Sequence, residues 1–400
     1  MLTLPIRSHT ILFTEACPLA CRYCYLRDDY FYNSAPTMTF EQILNLVETY
    51  NQQDDPTKYR SQLLFTGGEP FLYWDWIKAI IDKYGDRFEY CFNTSGYCFT
   101  EEILRYLSKV KIVEFVLSVD GTEELTNYLR PLRNDPLQVG YFKKFKEIAP
   151  TLLYYFPKTP YRIIINPRYI DKVHESYLEA EKLGFKYFTF ILDFETRPDD
   201  TKNNQRAWTD EDTVKLQYQF NLIAQEIIMG FVNNVSRPMI IPVNSAVNFL
   251  LNQKPFLPEN LPCQLFSGRS NSTMYNPEAA DTNCMSGDFE NLDLCAEALM
   301  AAYEKTNGIC DKDPDCPAFE YCALHCCPKN SLTYYKEFFK FETLECVVNK
   351  IAYRLAVQIL DICNQVCPQS RTFKKYINGF NYPGKAGAVY GDLSGMHLAE

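Results

Sequence analysis

Cys17, Cys21 and Cys24 stand as C-x3-C-x2-C directly after a short apolar segment. Thiolates are soft ligands, and three on one short loop suit iron–sulfur or zinc chemistry. On a [4Fe–4S] cube they would hold three irons and leave the fourth without a protein ligand, an open position where a reacting molecule can bind. A zinc knuckle completed by a distant fourth ligand, or three unconnected thiols, would share this spacing. Eleven more cysteines crowd residues 263–400, against five in residues 1–262. In a reducing compartment disulfides are disfavoured, and clustered thiols there bind metal or do redox work.

The elements that must position the first cluster are legible around it. Strand candidates are residues 10–14, 62–65, 88–93, 113–119, 162–166 and 186–192. Between them, residues 39–50 place Phe40, Ile43, Leu44 and Val47 at helical spacing, and Thr39 with Gln42 forms a capping box. Residues 171–183 begin with an N-cap candidate, Asp171, and end at Gly184, a natural C′ residue. Strand–helix units in series imply an α/β fold with a parallel sheet and right-handed crossovers. Six units fall short of a full eight-stranded barrel, so the expectation is a partial (β/α)6 TIM-like barrel.

Further along, residues 195–207 read as a polar loop and 209–234 as a long helix. Pro238, Pro242, Pro255, Pro258 and Pro262 crowd a bridge. The domains expected are a barrel over 1–235, a Pro-rich bridge over 236–262, a cysteine-rich α+β module over 263–350, and a terminal helix with an irregular tail over 351–400. Over residues 347–362, Val348, Ile351, Ala352, Leu355 and Ile359 make one apolar helical face.

Composition bounds the function. With 46% hydrophobic and 22% charged residues the chain is neither disordered nor fibrous. Forty basic against 50 acidic residues give −10 with no basic run, which disfavours nucleic acid as partner. No run approaches the roughly 18 apolar residues of a membrane span, and MLTLPIRSHTILFTEAC lacks the order of a signal peptide. A cytoplasmic protein without a membrane partner is expected.

The three cysteines with Tyr23 just before the last resemble the signature of the radical S-adenosylmethionine (SAM) superfamily. The match extends to Gly67-Gly68-Glu69-Pro70 after the second strand, similar to that family's GGEP motif. Ser118-Val119-Asp120-Gly121 after the fourth strand resembles the segment whose serine approaches SAM. The resemblance implies that Cys17, Cys21 and Cys24 hold a [4Fe–4S] cluster whose vacant iron is chelated by SAM. The glycines would let backbone approach the SAM ammonium, and Glu69 would complement its charge. Arg130 would pair with the SAM carboxylate, and Asn93, in FNTSG, would lie in the cofactor-side loop. A simple turn at 93–97, a strand-end turn at Ser118 and a surface charge at Arg130 are the plainer readings.

The later cysteines are similar to the SPASM extension of that family, which holds two auxiliary [4Fe–4S] clusters. Carried over by position, the first would use Cys263, Cys284 and Cys326, with Cys295 or Cys327 as fourth ligand. The second would use Cys310, Cys316, Cys322 and Cys346. Two departures stand out: Ala279 occupies the expected glycine position, and the leading C-x2-C is stretched to Cys310-x5-Cys316. Cys91, Cys98, Cys363 and Cys367 read as packing thiols, and His325 as a solvated side chain.

The implied chemistry is reductive cleavage of SAM to methionine and a 5′-deoxyadenosyl radical, which removes hydrogen from a substrate carbon. The extension points to a peptide or protein substrate, with a thioether or C–C crosslink in a ribosomally made peptide. Formylglycine formation in a sulfatase and dehydrogenation of a small molecule are the alternatives within the family. The partner implied for reduction is a flavodoxin or ferredoxin; with little chain before Cys17, a leader would need a separate leader-binding protein or a different mode of capture. A non-catalytic zinc-binding interaction protein is the alternative from another class.

Overall fold

Apolar runs bounded by turns become parallel strands, and the amphipathic stretches between them become crossover helices. The computed structural model describes residues 6–24, 38–57, 60–111, 113–135, 140–193, 208–252, 270–273, 316, 318, 321 and 343–379. Strands β1 (Ile6–Thr14), β2 (Arg60–Gly67), β3 (Glu89–Thr94) and β4 (Val113–Leu117) pair in parallel in the order β4-β3-β2-β1, with Ser270–Thr273 beyond β1. Strand β5 (Tyr161–Ile165) pairs in parallel with β6 (Tyr187–Leu192). A parallel bridge from Ser118 to Arg162 joins β4 to β5, so the six strands follow one another in sequence order. That is the expected partial-barrel arrangement.

Register is fixed by one apolar row. Ile11 faces Phe65, Phe65 faces Phe92, and Phe92 faces Phe115 across four strands, and all four side chains are buried. The rings of Phe65 and Phe92 stack at 5.4 Å between centroids. A one-residue slip of any strand would turn its member of this row to the opposite face. The same register therefore sets where each strand's carboxyl end emerges.

Between the strands run α1 (Phe40–Gln53), α2 (Trp74–Tyr84), α3 (Glu101–Leu107), α4 (Glu123–Leu129), α5 (Tyr141–Tyr155) and α6 (Val173–Lys182). The capping box at Thr39 and Gln42 is present at the start of α1. The expectation for Asp171 is corrected. Residues Pro167–Lys172 form a 3-10 turn capped by the Asn166 side chain, and α6 starts only at Val173. Pro167, with its φ preset and no N–H to lose, opens the turn earlier than the periodicity of residues 171–183 suggested. Gly184, at φ +88°, ends α6 as expected.

The chain divides into two compact units, Leu4–Asp212 with Asn271–Thr282, and Thr213–Ser270 with Asn283–Glu400 and the first three residues. The second contains most of α7 (Asp210–Val232) together with α8 (Ile241–Asn252), α9 (Thr343–Val366) and α10 (Arg371–Asn378). Pro242 lies in the first turn of α8, so the proline-rich stretch contains a helix. The Ser370 hydroxyl donates to the Phe231 carbonyl (2.6 Å) and Tyr376 donates to Asn244 (2.8 Å), tying α10 to α7 and α8. The polar loop 195–207 and the tail 381–400 lie outside the described residues.

Candidate active site at the carboxyl ends of the strands

Parallel strands deliver their carboxyl ends to one edge, and residues 17–24, 67–70, 93–95 and 118–120 gather there. The cysteine loop is clamped on two sides. On one, Gly68 N–H donates to the Thr14 carbonyl (2.6 Å) and Glu69 N–H to the Ala16 carbonyl (2.8 Å). This contact is why two glycines stand there. Gly67 adopts φ +117°, and a Cβ on Gly68 would lie 2.2 Å from the Ala16 oxygen and 2.7 Å from that of Glu15. The close approach of the two loops leaves no room for a Cβ at Gly68.

On the other side, residues 18–22 run along 129–133. Ala20 N–H donates to the Pro131 carbonyl (2.8 Å), Arg22 N–H to Leu129 (2.9 Å) and Arg133 N–H to Pro18 (2.8 Å). Leu19 and Leu132 form an antiparallel bridge, and the Arg133 Nε donates to the Cys17 carbonyl (2.8 Å).

Glu69 is buried, and its carboxylate accepts from four donors. Oε1 takes Phe71 N–H (3.3 Å) and the Thr94 hydroxyl (2.7 Å); Oε2 takes Ser95 N–H (3.0 Å) and the Ser95 hydroxyl. Burial still holds its carboxyl above the usual range despite these bonds. Pro70 opens the 3-10 turn Pro70–Tyr73 that Glu69 caps. Phe71 anchors that turn among Phe92 and Phe99, each 4.9 Å away between centroids. Asn93 donates to the Thr66 hydroxyl (3.2 Å), linking the ends of β2 and β3.

Asp120 and Arg130 form a buried ion pair, Nε to Oδ2 at 2.6 Å and Nη2 to Oδ1 at 3.3 Å. The Tyr23 hydroxyl donates to the same Oδ2, and Ile164 N–H to Oδ1 (3.0 Å). The third guanidinium nitrogen, Nη1, donates to Cys21 Sγ at 3.5 Å. Burial works against the charge of Arg130, but Asp120 beside it keeps the guanidinium firmly protonated. Arg130 is therefore no surface charge; it faces Asp120 and Cys21. The Ser118 carbonyl accepts from Tyr141 (3.1 Å), whose hydroxyl also reaches the Ser95 carbonyl.

None of the three cysteines is in a disulfide. Burial and the neighbouring thiols push Cys17 up to about 12 and Cys21 up to about 11, with Arg130 opposing the rise at Cys21. Among the described residues, the three sulfurs do not gather into a site for a single metal ion, as ligands of a four-iron cube need not. Three thiol donors on one loop locked on both sides fit an iron–sulfur cluster.

Sequence reasoning missed Thr94, Ser95 and Tyr141. The first two stand in FNTSG beside Asn93, where hydroxyls after a strand were a usable signal; Tyr141 opens a helix and carried none. Among the later cysteines, Cys316 and Cys346 are half-buried. Cys263, Cys284, Cys295, Cys310, Cys322, Cys326 and Cys327, with His325, lie outside the described residues. Cys91 and Cys363 are buried in the core, and Cys363 is pushed up to about 12 by burial and by Cys367 one turn on.

Residues 11–199 match the Radical SAM superfamily model, so the barrel is a radical SAM superfamily domain. Such a domain implies a [4Fe–4S] cluster and SAM. The radical SAM cyclopropyl synthase TigE of Paramaledivibacter caminithermalis is 23% identical over 137 residues, 31% of this chain and 29% of that protein. The chain spans less than half the length of the curated relatives it matches. The fold is similar to native anSMEcpe with bound AdoMet and Cp18Cys peptide, with a TM-score of 0.63 at 16% identity over 90% of this chain and 99% of that one. It is also similar to Streptococcus suis SuiB bound to precursor peptide SuiA, with a TM-score of 0.52 at 15% identity over 86% and 76%. At these identities the likeness establishes the fold. Among the described residues, no helix is long and apolar enough to cross a membrane.

Proposed function

We propose that the protein is a radical SAM enzyme that oxidatively modifies a residue in a peptide or protein. The observation that carries this reading is the three-cysteine loop, locked between the 67–70 turn and residues 129–133 at the carboxyl edge of a domain matching the Radical SAM superfamily. A [4Fe–4S] cluster with SAM supplies, when bound, a 5′-deoxyadenosyl radical able to take hydrogen from unactivated carbon. Cys17, Cys21 and Cys24 would hold the cluster. Glu69, in its cradle of Thr94 and Ser95 hydroxyls, presents a buried carboxylate suited to a cationic amine. Residues 67–70, Asn93, Ser118 and Asp120 then shape the floor of the site and keep water from it.

A peptide substrate is supported by two proteins of similar fold solved with peptides, the Cp18Cys peptide and the precursor SuiA. In this reading the product is a thioether or C–C crosslink in a ribosomally made peptide. Two auxiliary [4Fe–4S] clusters serve electron removal or substrate binding. Cys263, Cys284 and Cys326 with Cys295 or Cys327 would hold one, and Cys310, Cys316, Cys322 and Cys346 the other. A cytoplasmic flavodoxin or ferredoxin supplies electrons. Anaerobic, iron-loaded protein given SAM and reductant should produce 5′-deoxyadenosine. Replacing Cys17, Cys21 and Cys24 together by Ala should abolish it, and survival of that product would remove the three thiols from the reaction.

A further inference from the structure

Both carboxylate oxygens of Asp120 are engaged by donors of the protein itself. Oδ2 takes Arg130 Nε and the Tyr23 hydroxyl; Oδ1 takes Arg130 Nη2 and the Ile164 amide. To aim this carboxylate, Asp120 adopts φ +109°, a conformation rare outside glycine, and such strain persists only where surrounding contacts over-determine it. What the carboxylate fixes is the guanidinium plane. With two nitrogens committed to Asp120 and the ring of Tyr23 5.2 Å from its carbon, Arg130 has Nη1 directed at Cys21 Sγ. Tyr23 lies between Cys21 and Cys24, so the clamp is built partly from the cysteine loop itself. Its other parts come from the end of β4, the C-terminal end of α4 and the backbone of β5.

We infer that Arg130 is a positioning residue: it fixes the Cys21 sulfur for ligation and raises the reduction potential of the cluster that sulfur would hold, with Asp120 and Tyr23 keeping it in place. The inference rests on the radical SAM reading but differs from the role that the family resemblance implied for Arg130, a partner for the SAM carboxylate. An N–H donor and a positive charge against a ligating thiolate withdraw electron density from the metal and favour the reduced form. A planar three-nitrogen fork can serve carboxylate and sulfur together; a lysine ammonium is a single point charge on a flexible stem.

The test is a potentiometric titration of full-length, iron-loaded protein without SAM, followed by electron paramagnetic resonance. The signal belonging to the Cys17–Cys21–Cys24 site is the one lost in the triple Ala variant. Arg130→Met should move the midpoint of that signal to more negative potential, and Arg130→Lys should move it part of the way. Signals from other clusters should stay in place, and circular dichroism should match the wild type. Should Arg130→Met fail to fold, Arg130→Lys and Tyr23→Phe carry the test, each expected to shift the midpoint in the same direction. An unchanged midpoint, with SAM binding alone weakened, would overturn the inference in favour of a carboxylate-binding arginine. Iron bound at the triad with no shift sinks this inference alone, whereas no iron at the triad in the wild type sinks the proposed function with it.

Discussion

At Gly68 a methyl group would need the space that the Ala16 carbonyl oxygen fills, and both atoms belong to backbone held by hydrogen bonds. Gly68→Ala should therefore push the 67–70 turn off the cysteine loop. It should cost about 1–3 kcal/mol in chemical denaturation and lower iron content together. Glu69 offers a different test. Its carboxyl is raised above 4.5, first by burial, with the Ser95 and Thr94 hydroxyls opposing. The folded state thus holds its proton more tightly than the unfolded one. In the window from 4.5 up to the folded value the native state binds more protons, and stability falls as pH rises. Glu69→Gln removes that titration and leaves a donor facing Ser95, for a loss of about 1–3 kcal/mol. The loss relative to wild type should be largest at the acid end of the window and shrink toward neutral pH. Denaturant midpoints measured at a series of pH values check this, and a constant difference would contradict a raised carboxyl.

Among elements, α5 acts on the site through its first turn. Tyr141, the first residue of α5, sends its hydroxyl to the Ser95 and Ser118 carbonyls, so one side chain ties the loop after β3 to the segment after β4. Tyr141→Phe leaves both carbonyls without that donor, the one of Ser95 buried. It should cost about 1–3 kcal/mol and weaken SAM binding measured by calorimetry, although the ring keeps its packing. The capping box of α1 is a control remote from this chemistry. Thr39→Ala should cost about 1 kcal/mol and leave iron content unchanged. The cysteine loop has no regular structure of its own; its shape is imposed by what it is bonded to on either side.

For the molecule as a whole, the informative quantity is iron per chain. Three [4Fe–4S] clusters require about twelve irons and a single one about four. Replacing Cys17, Cys21 and Cys24 together should leave about two thirds of the wild-type iron if the cysteines from 263 to 346 hold two clusters. It should leave none if they hold zinc, and metal analysis by mass spectrometry separates these outcomes. The two compact units divide the cysteines the same way, the first holding Cys17, Cys21 and Cys24 and the second holding Cys316 and Cys346.

Periodicity and motif spacing by themselves determined the six parallel strands, the capping box at Thr39 and the three-cysteine loop. These are properties of neighbours along the chain: apolar alternation, helix caps and ligand spacing act over a few residues. The partnership of Arg130 with Asp120 and Cys21 joins positions 109 residues apart and depends on strand register. The helix start expected at Asp171 gives way to a turn opened by Pro167, a local competitor to the helical pattern. The four donors on Glu69 and the closeness of Gly68 to Ala16 were likewise decided only by tertiary structure. A buried polar group is satisfied by whatever the packed strands bring to it, and no spacing along one segment encodes which group that is.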